Sequence, residues 1–156
     1  GSHDNLGTMP LDLPPSELET RAVVVTWDDG LEPMLAIDRL PGALHAAEHG
    51  AIGMLGLFAV CDRWDVGGLS TAHHPDTGAP TVLIHDGYPG GAGIAELAER
   101  IAERHLAATR RAIAECPCDA GCPSCVQSPK CGNLNEPLDK AGAQVALDAL
   151  LGSAEQ

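Results

Sequence analysis

Cys116-Pro117-Cys118-Asp119-Ala120-Gly121-Cys122-Pro123-Ser124-Cys125-Val126-Gln127-Ser128-Pro129-Lys130-Cys131 gathers five of the chain's six cysteines into sixteen residues. Soft thiolates bind zinc tetrahedrally, and short loops can supply four of them. Cys122-Pro123-Ser124-Cys125 is a C-x-x-C knuckle, which lets two sulfurs reach one ion from one tight turn. Cys131-Gly132 reads as a second knuckle, with glycine letting the backbone turn beneath the metal. Five thiols compete for four places. Cys118, Cys122, Cys125 and Cys131 are the expected ligands of one structural Zn2+, with Cys116 as the alternative ligand. Otherwise Cys116 ends the preceding helix. The competing reading is a disulfide cluster or free thiols. No secretory signal peptide is visible, which favours zinc.

The 156 residues suffice for one domain with its own core. Apolar residues make up 44% and aromatics only 3%, so the core is built from Ala, Leu, Val and Ile. No run of eighteen apolar residues occurs, and none is expected to span a membrane. The net charge of −13 argues against a free-standing electrostatic DNA binder, which carries a basic face. It leaves room for local phosphate contacts within a larger assembly. Gly1-Ser2-His3 reads as a tag-cleavage scar on an excised piece of a longer protein.

Outward from the cluster, residues 4–20 contain Pro10, Pro14 and Pro15 and read as a flexible lead-in. The domain is expected over 21–152, with 153–156 as a tail. Arg21–Trp27 is β-rich and reads as a strand, followed by a turn at Asp28-Asp29-Gly30. From Pro41 to Val60 small and aliphatic residues recur at helical spacing, with glycines that permit close packing. Cys61 reads as a small buried hydrophobe, and Arg63, between Asp62 and Asp65, as an ion-paired turn. Leu69–His74 and Thr81–Asp86, separated by Pro75-Asp76-Thr77-Gly78, predict an antiparallel hairpin. Gly87–Gly93 then feeds a helix. Glycine loops there can hold phosphate, but a tight turn is the plainer reading. No P-loop motif occurs.

Ile94 to Glu115 predicts one amphipathic helix that delivers the chain to Cys116. Arg110 and Arg111 near its end suit the helix dipole. With Lys130, they are the candidate DNA-phosphate contacts. A final helix is expected from Asp139 to Leu151, closing over the zinc loop. The fold expected is α+β: a small, mainly antiparallel sheet against two long helices, with strand order left open.

His45-Ala46-Ala47-Glu48-His49 is H-x-x-E-H, the inverted zinc-protease arrangement. Histidines at i and i+4 share a helix face and can chelate a metal, with Glu48 as general base. Its third ligand would be Glu96, Glu99 or Glu103. The plainer reading is a helix whose histidines make structural hydrogen bonds. A zinc metallohydrolase is therefore the alternative function. A redox-sensing thiol module is a third reading.

Several stretches together resemble one family. They are Asp86-Gly87-Tyr88-Pro89-Gly90-Gly91-Ala92-Gly93, Gly121–Cys125, Ser128-Pro129-Lys130-Cys131-Gly132-Asn133, Asn135-Glu136-Pro137-Leu138-Asp139-Lys140 and Cys61–Gly68. In this order they resemble the C-terminal zinc-binding domain of MrfA-like DNA helicases, most closely the actinobacterial members known as SftH. The resemblance covers residues 20–152. It implies a superfamily 2 DEAD/H-box protein, an ATP-dependent 3'-5' DNA helicase acting in repair, including repair of mitomycin-type cross-links. Its ATPase motifs lie in upstream RecA-like domains, the implied partners in the same polypeptide. The chain contains neither a Walker A sequence nor a DEAD box. The resemblance therefore implies an accessory domain, monomeric and without ATPase activity of its own, that braces the motor and helps guide DNA. The implied location is cytoplasmic, at the nucleoid when on DNA.

Overall fold

The computed structural model describes residues 14–28, 31–32 and 34–153. Most of the expected lead-in, part of the Asp28–Gly30 turn and residues 154–156 lie outside them. Three strands form one antiparallel sheet: β1 (Ala22–Thr26), β2 (Val66–Thr71) and β3 (Thr81–Asp86), in the order β1-β3-β2. β3 is central and mostly buried, which matches its nearly unbroken apolar run. β1 runs against it from Ala22↔His85 to Thr26↔Thr81, and β2 from Val66↔Asp86 to Thr71↔Thr81. The hairpin expected from the Pro75–Gly78 turn is present. Its first strand begins three residues earlier than expected, at Val66. Gly67 and Gly68 belong to that strand. A Cβ at either would run into His85 or Glu48.

A short 3-10 turn (Ile37–Arg39) leads into α1 (Leu40–Leu55). Thirteen of its sixteen residues are buried, because α1 packs against β2, β3, α3 and α4. A helix covered on several sides needs apolar or small residues around most of its circumference, as here. At Gly50 a Cβ would lie 2.9 Å from Ile113 Cδ1 and 3.2 Å from Thr109 Cγ2, so the bare glycine sets the approach of α1 to α3. α1 ends at Leu55 rather than Val60. Beyond it Leu57 and Phe58 bond back to Met54 and Leu55 in tighter turns, and Ala59 bonds to Leu55.

The single helix expected over 94–115 is two: α2 (Ile94–Arg100) and α3 (Ala102–Glu115), hinged at Ile101 (φ −113°, ψ 19°). α2 packs on β1 and β3, whereas α3 packs on α1 and α4, so the chain must reorient between them. α4 (Lys140–Ser153) completes the fold. Trp27 Nε1–H donates to the Ala146 carbonyl at 2.8 Å and ties the end of β1 to α4. One core cluster lies on the sheet side, around Trp27, Leu44, Val82 and Ile84. A second, with Ala46, Ile113, Val126, Ala143 and Leu147, adjoins the cysteines. Among the described residues no helix is long and apolar enough to cross a membrane.

Of the lead-in, residues 14–20 have no regular secondary structure. The Thr20 hydroxyl donates to the Asp86 and Tyr88 carbonyls (3.0 and 2.8 Å), fixing this stretch beside the glycine loop. Arg63 forms no ion pair with its flanking aspartates. Its guanidinium donates to the Gln127 carbonyl at 3.3 Å. The turn is instead made by the aspartates: Asp62 Oδ1 accepts from Trp64 N–H and Asp65 Oδ2 from Asp62 N–H. Cys61 is half-buried against the sheet-side core, as its reading as a small hydrophobe requires.

Candidate metal centre

α3 ends at Cys116, whose extended backbone (φ −67°, ψ 122°) is the conformation imposed on a residue preceding proline. That turn swings its sulfur toward the knuckle. Cys125 N–H donates to the Cys122 carbonyl at 3.0 Å, and Cys122 N–H to Cys125 Sγ at 3.4 Å. Fully buried Val126 anchors the loop in the metal-side core.

The structure brings together Cys116, Cys118, Cys122 and Cys125, whose sulfurs all lie within 4.8 Å of one another. The 116–118, 116–122, 118–125 and 122–125 separations are 3.6, 3.5, 3.5 and 3.8 Å. Four zinc–sulfur bonds of about 2.3 Å in a tetrahedron put the sulfurs ~3.8 Å apart. The cluster thus fits one zinc ion. Cys131 is placed elsewhere, and Cys116 stands in the position the spacing had offered it.

Burial pushes the Cys118 thiol up. Hydrogen bonds with Cys125, Cys116, Lys140 and Cys122 outweigh it and hold the thiol at about 7. Cys125 is pushed up to about 12 by burial, although the Cys122 backbone opposes this. Sulfurs packed this closely cannot all hold negative charge without a cation. Lys140, the first residue of α4, reaches into the loop. Its ammonium donates to the Cys116 carbonyl (2.6 Å), the Cys118 carbonyl (2.5 Å) and Cys118 Sγ (3.4 Å). No periodicity in the sequence marks this lysine as part of the site.

The fifth of the clustered cysteines, Cys131, meets the H-x-x-E-H helix. One ligand atom each from His45, His49 and Cys131 lies within 4.8 Å of the other two. None of the carboxylates expected as third ligand is there. Glu96 faces Arg21 at 3.8 Å, and Glu99 and Glu103 are exposed on other helices. Glu48 is buried and leans on β2 at Gly68. Burial raises its carboxyl above the usual range, against a hydrogen bond with Ser70. The signal for this grouping was in the sequence: two i, i+4 histidines and one cysteine left over from four.

Of the DNA-contact candidates, Arg110 forms a fork with Asp148 (2.7 and 3.0 Å), joining α3 to α4. Arg111 is exposed. Lys130 donates to the Val66 carbonyl and lies 6.0 Å over the Trp64 ring. The glycine loop is a tight turn whose donors are already occupied. Buried Asp86 accepts from Ala92 N–H, Ile94 N–H (3.3 Å) and Ala95 N–H (2.8 Å), filling the position a phosphate would take.

Four convergent thiolates between two helices of a small α+β domain define a zinc–thiolate module. The chain belongs to the family described as the MrfA Zn-binding domain, which it matches over residues 47–126. It is 35% identical over 127 residues to the ATP-dependent helicase YprA of Bacillus subtilis, covering 79% of this chain and 16% of that protein. It is 36% identical over 111 residues to protein MJ1572.1 of Methanocaldococcus jannaschii, covering 69% of this chain and 99% of that protein. The ATP-dependent helicase HRQ1 of Saccharomyces cerevisiae is 33% identical, over 73% of this chain and 12% of its own length. The crystal structure of the DUF1998 helicase MrfA bound to DNA superposes with a TM-score of 0.75 at 29% identity, over 94% of this chain and 19% of that one. The chain thus spans less than a fifth of the helicases it matches, and nearly all of the archaeal protein.

Proposed function

We propose that this domain is the structural zinc module of an ATP-dependent DNA helicase acting in repair. Cys116, Cys118, Cys122 and Cys125 hold the ion. The observation that carries the reading is the four-sulfur cluster at the α3–α4 junction, in a family whose helicase members are far longer than this chain. Zinc fixes the end of α3 and, through Lys140, the start of α4. The domain has no ATPase activity of its own. It braces upstream RecA-like domains and helps guide DNA past them, at the nucleoid of a cytoplasmic enzyme. MrfA was crystallised bound to DNA, which supports a DNA-side role. Leu57, Val60 and Leu134, at 72%, 110% and 85% exposure, offer apolar side chains for packing against the motor. Arg111 is the better candidate for phosphate contact, because Arg110 is held by Asp148 and Lys130 by the Val66 carbonyl.

Two measurements on the purified chain test this. Elemental analysis of wild type and Cys122→Ser should show zinc lost from the four-cysteine cluster in the variant. Fluorescence anisotropy with forked DNA should show weak, salt-sensitive binding, as the charge of −13 requires. A cluster that takes no zinc under reducing conditions would overturn the structural role. Tight binding that persists at high salt would overturn the accessory one.

A further inference from the structure

We propose that His45, His49 and Cys131 form a second transition-metal site, suited to Zn2+, separate from the four-cysteine cluster. Cys131 Sγ lies 3.4 Å from His45 Nε2. Zinc bonds of about 2.0–2.1 Å to nitrogen and about 2.3 Å to sulfur place such a pair ~3.6 Å apart in a tetrahedron.

The hydrogen bonds around the two rings fix their tautomers. His45 Nδ1 lies 2.8 Å from the Pro137 carbonyl, and His49 Nδ1 lies 2.8 Å from the Val126 carbonyl. A carbonyl only accepts, so each Nδ1 carries a proton and donates it. In each neutral ring that leaves Nε2 with its lone pair. This is the backbone support that metal-binding histidines usually have. Cys131 Sγ accepts the Asn135 N–H at 3.3 Å. The Asn135 side chain in turn bonds both the N–H (2.7 Å) and the carbonyl (3.1 Å) of Ser128, holding the loop that carries the cysteine.

A thiol–imidazole hydrogen bond accounts for only one of the two rings. One S–H can serve one imidazole nitrogen. Here two imidazoles with the same tautomer stand with one sulfur, their centroids 4.3 Å apart. Three lone-pair donors converging on one point are balanced by a cation. Three protein ligands also leave a fourth position. The cluster borders a cavity of about 510 Å3 lined by Glu48, Trp64, Ser70, His85 and Lys130, from which water or an anionic oxygen can reach the metal.

The test loads the reduced full chain with Zn2+, removes free metal, and reads zinc per chain by elemental analysis and native mass spectrometry. Two zincs are expected in wild type, and one in each of His49→Ala, Cys131→Ser and Cys122→Ser. Because a variant can misfold, X-ray absorption of the wild type is the deciding readout. It should show imidazole nitrogen at about 2.0–2.1 Å beside sulfur at about 2.3 Å. One zinc in wild type with sulfur-only coordination overturns the second site and leaves the first intact. Two zincs retained in both His49→Ala and Cys131→Ser overturn it as well. Failure of the four-cysteine reading looks different, since the sulfur-rich component would then be missing.

Discussion

At the scale of single residues, Lys140 carries more than its place in the sequence suggests. Zinc held by four thiolates retains net negative charge, and a buried anion needs a counter-charge or donors nearby. Lys140 is 8% exposed and supplies both, through the Cys116 carbonyl, the Cys118 carbonyl and Cys118 Sγ. Lys140→Met keeps the aliphatic stem and removes the charge. It is expected to release zinc to a chromogenic chelator several-fold faster than wild type and to lower the denaturation midpoint. Unchanged release kinetics would show that the ammonium is not the counter-charge. The same neighbourhood shows what spacing alone leaves open. Cys116 and Cys131 stand at comparable distances along the chain from Cys122–Cys125. The choice between them depends on Pro117, which forces Cys116 extended, and on His45 and His49, which sit beside Cys131 only after α1 has packed. The first is a local rule; the second is tertiary and has no local signature.

Among the elements, the seam between α1 and α3 ties the sheet-side core to the metal-side core. His105 of α3 crosses it. The residue is 3% exposed, and its Nε2–H donates to the Ala51 carbonyl of α1 at 2.7 Å. The Phe58 ring stands edge-on at 5.9 Å. Burial pushes its pKa below the usual histidine value, although the bond to Ala51 opposes this. The unfolded chain therefore binds a proton more readily than the fold does. The contribution is present above about pH 6.5 and is lost as pH falls through the lower folded value. With zinc held saturating, wild type should lose more Tm than His105→Gln between about pH 7.5 and 5.5. Equal losses would mean His105 is not the group responsible. The differencing removes the acid sensitivity of the thiolates, which both proteins share. Element type was readable here because β-branched runs and helical spacing are local. The break at Ile101 was not, because nothing in that heptad disfavours helix. It exists because α2 and α3 answer to different neighbours. β2 likewise began early because Gly67 and Gly68, ordinarily strand breakers, let a strand lie flush against Glu48 and His85.

Across the whole molecule, two cores share one helix. α4 gives Ala146 to the sheet-side cluster and Ala143 and Leu147 to the metal-side one. Trp27 holds the helix from the sheet side through the Ala146 carbonyl, and Lys140 from the metal side. Structural zinc contributes on the order of 10 kcal/mol to folding in small peptides that have almost no other core. This chain has another: a three-stranded sheet, α1 and α2 bury Trp27, Leu44, Val82, Ile84 and Ile94 without touching a cysteine ligand. Metal removal should therefore unfold the molecule by parts rather than all at once. After chelation under reducing conditions, hydrogen exchange should speed up across residues 116–139 and the first turn of α4. The amides of β3 should keep their protection, and the later turns of α4 should fall between. A uniform loss over all three strands would show that zinc supports the whole fold as one cooperative unit. A graded loss would place the metal where a brace between a stable body and a helix junction has to act, and would make the α3–α4 junction the part of the domain whose rigidity depends on the ion.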